Sequence, residues 1–316
     1  SDPTKPGVSP SGWRRWTRRA RWLTLGLLML AFVVWLSLRH HLDSLRSVRR
    51  VPGGNAYVMD YYAAYPLDSI RKNGVDVADL EGSFVRAYFP SAIVPIVESV
   101  KRWYLPRQIQ TLDDPKAAHH CSTVSLRSEP GHPFFGRNFD YGNDACLIVR
   151  VHDERGVASI AVIDLAYLNL NRGDLDQTSL VARLPLLFAP YYVMDGMNRQ
   201  GLAVADMSVP AAQAPTANGK PSIIQSTLMR LILDEAASVD EALAIVRSYN
   251  VHFVQHPEHL MIADATGRSV VVEFVASEVR VTESTESWQV CTNHLICDKT
   301  EEQNDAACSR YRDGSE

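Results

Sequence analysis

From Val157 to Leu168 the chain is a long apolar run rich in β-branched residues, interrupted only by Ser159 and Asp164. Successive side chains of a strand point to opposite faces, so a run like this reads as a central strand covered on both sides. Two more β-branched segments, His259 to Asp264 and Ser269 to Val275, are joined by an Ala265-Thr-Gly turn and read as a strand pair. Cys146 to His152, Gly201 to Val209, Val279 to Thr282 and Gln289 to Thr292 read as further strands. Between these groups the period changes. Ser222 to Ala236 sets Ile224, Leu228, Leu231 and Ile232 on a helical stripe, and Ser238-Val-Asp-Glu241 is a capping box for a second helix through Tyr249. Asn171 to Thr178 and Pro210 to Pro221 are loops, and Pro185 and Pro190 interrupt the apolar stretch Leu180 to Tyr192. Strands on either side of a helical pair, with no internal repeat, make an α+β chain.

The chemistry centres on Cys121-Ser-Thr-Val-Ser and, after a Glu129-Pro-Gly-His turn, Phe135-Gly-Arg137-Asn-Phe-Asp140-Tyr141. Ser122 to Leu126 and Phe134 to Tyr141 read as the two strands of a hairpin. Such a hairpin returns Arg137 and Asp140 to the side of Cys121. A guanidinium near a cysteine favours the nucleophilic thiolate, and a carboxylate can orient a neighbouring amine. The residues alone also fit a buried structural cysteine beside a surface Arg-Asp pair.

The cysteine, with Arg sixteen and Asp nineteen residues later in the form G-R-N-x-D, resembles the choloylglycine hydrolase family of N-terminal nucleophile hydrolases. That family includes bile salt hydrolases, penicillin V acylases, acid ceramidase and the N-acylethanolamine acid amidase. Three later blocks agree in order: Asp195-Gly-Met-Asn-Arg-Gln-Gly-Leu202, His259 to Glu273 around a D-x-x-G turn, and Thr292-Asn293 after a short strand. The resemblance runs from about residue 118 to 312. It implies a four-layer αββα sandwich, helices outside two packed sheets.

By that resemblance the bond between His120 and Cys121 is cut autocatalytically, leaving Cys121 as a new N-terminus. Its α-amine, with an unperturbed pKa near 8, then serves as base for its own thiol. Asp140 holds the amine, Arg137 stabilises the thiolate, and Asn293 donates its side-chain amide to the oxyanion. Ser309-Arg310-Tyr311 resembles the family's late arginine, so Arg310 joins the catalytic set, although it arrives early. Ser208 stands where bile salt hydrolases carry a second oxyanion asparagine, which bears on substrate class. An apolar acyl pocket would be lined by Phe135, Phe139, Tyr141 and Tyr167. Each residue keeps a plainer reading: an ion pair for Arg137 and Asp140, a strand-end turn for Asn293, a turn former for Asn198. The His119-His120 pair, His294, Cys291 and Cys297 have no zinc-type Cys-x-x-Cys spacing, so neither a metal nor a cofactor is implied.

Ahead of this part, Trp22 to Leu38 contains 17 residues without a charge, preceded by Arg14, Arg15, Arg18, Arg19 and Arg21 and followed by Arg39. That length is at the short end of what spans a bilayer. The expectation is a transmembrane signal anchor over 22–38, with Trp22 and Trp35 at the interfaces. A cleaved signal peptide (no small-x-small site follows) and a soluble helix are the competing readings. Residues 1–21 then form a basic, disordered cytoplasmic tail, 39–120 a linker and helical pro-region, and 121–316 the extracytoplasmic amidase domain.

With 316 residues, 46% of them hydrophobic, the chain can bury a sizeable core, and its net charge of -4 gives no reason to expect nucleic acid. Cysteines other than Cys121 number four, enough for up to two disulfides, with Cys291 closing a local loop to Cys297 or Cys308. Buried reduced thiols are the alternative. The expected activity is hydrolysis of a linear amide in an N-acylated small molecule, with acyl transfer or a catalytically silent membrane-tethered scaffold as alternatives. Expected partners are that substrate and the membrane, and self-association is left open.

Overall fold

A computed structural model of the chain describes residues 10–89, 91, 94–95, 121–128, 132–140, 145–168, 170, 174–209, 212–217, 219–254 and 256–297. Helix α1 (Pro10–Arg46) leads into β1 (Arg49–Arg50), β2 (Ala56–Tyr61), α2 (Asp68–Asn73) and α3 (Leu80–Tyr88). The expected hairpin follows as β3 (Ser122–Ser128) and β4 (His132–Asn138), then β5 (Cys146–Asp153) and β6 (Gly156–Asp164). Next come β7 (Asp195–Asn198), β8 (Ala203–Ser208), β9 (Ser222–Ile224), α4 (Gln225–Glu235) and α5 (Val239–Arg247). β10 (Asn250–His252), β11 (Glu258–Ala263), β12 (Ser269–Val275), β13 (Glu278–Glu283) and β14 (Trp288–Cys291) complete the order.

The described residues form a nine-stranded sheet in the order β1-β2-β5-β6-β7-β8-β11-β12-β13, and a separate sheet β14-β3-β4. Helix α4 lies on β6, β7 and β8, and α5 on β11. The main apolar core joins the helices to the large sheet through residues such as Leu228, Ile232, Val204 and Ile262. On the opposite face Met207, Met261 and Val271 pack with Cys121 and Cys291 from the small sheet. This gives three layers, helices, large sheet and small sheet. The expected outer helical layer over the small sheet does not occur among the described residues.

The N-cap half of the expected box forms, with Ser238 Oγ accepting from Glu241 N at 3.3 Å, while the Glu241 carboxylate reaches one residue further back and accepts from Ala237 N at 2.7 Å. The helical stripe begins later than expected, because Ser222–Ile224 pairs in parallel with Asn250–His252 before the chain turns into α4. The segment upstream of Cys121 is not all helix. β2 pairs in parallel with β5 from Ala56↔Cys146 to Tyr61↔Val151, which makes it a strand of the large sheet.

The expectation of a transmembrane anchor is overturned: among the described residues no helix is long and apolar enough to cross a membrane. A helix rises about 1.5 Å per residue, so an uncharged run of 17 residues covers only about 25 Å of a hydrocarbon core near 30 Å. The same helix then continues through Arg39 and Asp43 and ends docked on the domain, where Ser44 and Leu45 are buried. The membrane as a partner, and the anchored extracytoplasmic placement that rested on it, fall with that segment. The four described cysteines, Cys121, Cys146, Cys291 and Cys297, are free thiols, so the Cys291–Cys297 loop is not closed. Cys308 lies outside the described residues.

Candidate active site

The hairpin register pairs Thr123 with Arg137 and Ser122 with Asn138, which carries the Arg137 guanidinium back to the start of β3. There Arg137 Nη2 lies 3.8 Å from Cys121 Sγ. The same side chain, 6% exposed, donates from Nη1 to Asp195 Oδ2 at 2.6 Å. Its Nη2 donates to Asp206 Oδ1 at 2.9 Å and to the Asp206 carbonyl at 2.7 Å. The Phe139 ring covers the guanidinium at 4.6 Å. Charge-assisted, multiply bonded contacts of this kind fix a guanidinium in one orientation.

The expected thiolate does not follow from this proximity. Burial pushes the Cys121 thiol above its ordinary pKa, and the opposing pull of Arg137 and of the Asp140 backbone amide is too weak to reverse it. Arg137 is already shared between two carboxylates. Burial likewise raises Asp206 well above the usual carboxylate range, against the pull of Arg137 and with Asp195 adding to the rise. Glu258 is raised in the same direction by burial and by the negative charge of Asp206.

Cys121, Arg137, Phe139, Tyr167, Ser208 and Glu258 share one narrow cleft of about 20 Å³, with Asp206 on its wall. A larger groove of about 440 Å³, beside Lys220 and Arg247, contains none of the expected residues. Phe135 packs against the Cys121 cluster. Asn293 donates from Nδ2 to the Ser208 carbonyl at 2.9 Å, which ties it to the same wall. Asp140 is exposed and offers its main chain to the sulfur. His120, Tyr141 and Arg310 lie outside the described residues.

Asn198 serves the turn after β7. Its Oδ1 accepts from Gln200 N and Leu202 N, and its Nδ2 donates to the Leu233 and Ala236 carbonyls. The positive φ of this turn falls on Gly201 and not on Asn198.

Reasoning from the sequence missed Asp195, Asp206 and Glu258. Asp195 stood in view, as the first residue of the D-G-M-N block. For Asp206 the signal was one carboxylate inside an otherwise apolar strand, Ala203 to Met207. Glu258 carried none, because only the cross-strand pairing Glu258↔Ser208 brings it to the cleft.

Residues 189–312 match the family model described as acyl-coenzyme A:6-aminopenicillanic acid acyl-transferase. The bile salt hydrolase/transferase of Clostridium perfringens (strain 13 / Type A) is 25% identical over 174 residues, 51% of this chain and 50% of the relative. Over these residues the chain is similar to the choloylglycine hydrolase and penicillin acylase family. It spans about half the length of the curated relative it matches. Among solved structures, a mutant of the conjugated bile acid hydrolase from Clostridium perfringens aligns at TM-score 0.41 and 20% identity, covering 59% of this chain and 57% of that one. Penicillin V acylase from Agrobacterium tumefaciens aligns at TM-score 0.33 and 15% identity, over 60% of this chain and 47% of that one. An N-acylethanolamine-hydrolyzing acid amidase ortholog from Caenorhabditis elegans gives 0.37 and 15%, over 57% and 73%.

Proposed function

We propose that the chain is a self-processing cysteine amidase that hydrolyses a linear amide in an N-acylated small molecule. The observation that carries this reading is the single cleft that Cys121 shares with Arg137, with Asn293 bonded to its Ser208 wall. The raised thiol pKa supports self-processing in particular. Arg137 alone does not ionise Cys121, so the nucleophile needs a base. Cutting the bond between His120 and Cys121 supplies one, the freed α-amine, whose ordinary pKa is near 8.

In the reaction the amine takes the thiol proton while sulfur attacks the substrate carbonyl. The oxyanion so formed is assigned to the Asn293 amide, an interaction worth about 3 kcal/mol at a site of this kind. Asp140, beside Cys121 through its main chain, is assigned to hold the α-ammonium. Collapse breaks the C–N bond, and the ammonium gives its proton to the departing amine, leaving a Cys121 thioester. Water then attacks, activated by the same amine, to release the carboxylic acid and restore the thiol. Phe139 and Tyr167 supply an apolar wall for the acyl group.

Intact mass of the purified protein beside Cys121→Ala tests the reading. The expected result is a cut before Cys121 in the wild type only, followed by amine release from N-acyl amides. A wild type that stays whole from acidic to neutral pH, and releases no amine, refutes it. The matched acyl-transferase model and the hydrolase/transferase relative favour one second reading, transfer of the same acyl group to an amine. Added amine acceptor would then be recovered as a new amide.

A further inference from the structure

Behind Asn293 lies a buried polar cluster that the proposed chemistry does not itself use. Glu273 and His259 have fully buried side chains, with His259 Nδ1 3.3 Å from Glu273 Oε1. The other ring nitrogen, Nε2, donates to the Thr292 carbonyl at 2.7 Å, one residue before Asn293. It also lies 3.2 Å from Cys291 Sγ, at the end of β14. Glu273 reaches past Asn293 on the other side: its Oε1 accepts from Ile296 N at 2.6 Å and its Oε2 from Cys297 N at 2.7 Å. The loop that leaves β14 is thus gripped just before Asn293 and three residues after it. Burial alone would raise the Glu273 carboxyl, but the bonds from His259, Cys297 and Ile296 hold it below the ordinary range.

A buried carboxylate is costly unless its oxygens are satisfied, and a surface loop needs no such anchor. The register explains why the cluster sits here. His259 on β11 pairs with Met207 on β8, next to Ser208, whose carbonyl receives the Asn293 amide. Glu273 on β12 follows Val271, which faces Cys121 and Cys291 between the two sheets. One rigid block therefore connects the Asn293 loop to the cleft wall.

We infer that Glu273 and His259 are positioning residues for Asn293: they clamp both ends of its loop, so that its side-chain amide is aimed at the oxyanion before substrate arrives. The inference rests on the assignment of Asn293 as oxyanion donor. Donors of that kind act by preorganisation, and a shift of about 1 Å is enough to lose much of their effect.

A mutant cycle on processed protein, verified by intact mass and melting temperature, tests it. Asn293→Ala is expected to lower kcat about 100-fold. Glu273→Gln, which keeps one acceptor but loses the charge, is expected to lower kcat about 10-fold with KM within about twofold. The double variant should be no slower than Asn293→Ala, because residues acting through one group are not additive. Losses that multiply, or a Glu273→Gln enzyme with wild-type kcat, overturn the clamp while leaving Asn293 in place. A fully active Asn293→Ala enzyme overturns the underlying assignment and the clamp together. Should Glu273→Gln melt within the assay range, the cycle is run with His259→Gln, which keeps a donor toward Thr292. This variant is expected to retain more kcat than His259→Ala, and equal losses in the two overturn the clamp.

Discussion

Arg137 is the residue on which the site's electrostatics turn, and its neighbours decide what its loss would do. It is shared between two carboxylates, the half-buried Asp195 and the buried Asp206, so replacing it with methionine leaves both without their cation. Breaking one partner of a buried ionic group costs about 3–5 kcal/mol. Arg137→Met should lose about that much stability near neutral pH in denaturant titrations, and less in acid, where Asp206 takes a proton. A variant as stable as wild type at both pH values contradicts the geometry. Glu258 gives a second test. Its carboxyl and that of Asp206 are raised by folding, so the folded state binds protons that the unfolded chain releases. Their contribution is fully present below the unfolded carboxylate pKa of about 4 and is lost as pH rises through the folded values. Asp60, held down to about 2 against burial by Arg150, His152 and Arg49, acts oppositely and weakens the fold only in strong acid. Glu258→Gln should therefore flatten the decline in stability as pH rises above the ordinary carboxylate range and leave the strongly acidic side unchanged. An unchanged slope on the alkaline side counts against a raised Glu258.

At the scale of elements, Gly196 shows how close β7 must come to its neighbours. A Cβ there would lie 2.7 Å from the Ile160 carbonyl oxygen on β6 and 2.7 Å from Leu233 Cδ1 on α4. Gly196→Ala forces strand and helix apart, at about 1–3 kcal/mol by analogy with other overpacked cores. Because β7 also carries Asp195, activity should fall further than the stability loss alone explains. An unshifted unfolding midpoint would mean that the contact relaxes freely. The strands that were legible in the sequence share one property, a local signal. Cys146 to Asp153, Ser269 to Val275 and the hairpin around Cys121 are each marked by apolar or β-branched runs with turn residues at their ends. The meeting of Cys121 with Arg137 was legible for the same reason, since one hairpin sets it. β2 was not, because its six residues gain a role only by pairing with β5, far along the chain. Asp206 and Glu258 were hidden likewise: strand register brings them to the cleft, and no spacing in the sequence encodes it. The apolar run Trp22 to Leu38 misled in the opposite way, since composition set the expectation while the helix containing it ends in the core at Leu45.

At the scale of the whole molecule, the main apolar core is built from both sides of the proposed cut. β2 lies between β1 and β5 in the large sheet, and Tyr57, Met59 and Tyr61 on it are fully buried. Ile70 and Phe84, from the two short helices that follow, enter the same apolar cluster as Leu228 and Ile232 of α4. Phe84 stacks on Tyr191 at 4.7 Å. Polar ties cross the division too: Tyr65 donates to Asp234 Oδ1 at 3.0 Å, and Arg71 donates to Glu235 Oε1 at 2.6 Å from Nη2. Removing the upstream piece would open a sheet edge at β5 and expose several large apolar side chains at once. Each large side chain brought from core to water costs about 1.5–3 kcal/mol, and an edge strand left without its partner invites aggregation. Self-cleavage is therefore expected to nick the chain without dividing the molecule. After processing, the two pieces should elute together in native size-exclusion chromatography and separate only in denaturant. Expressed from Cys121 onward without residues 39–120, the protein should be insoluble or inactive. An active, soluble fragment of that kind would show that the upstream segment is a detachable cover and not part of the sheet.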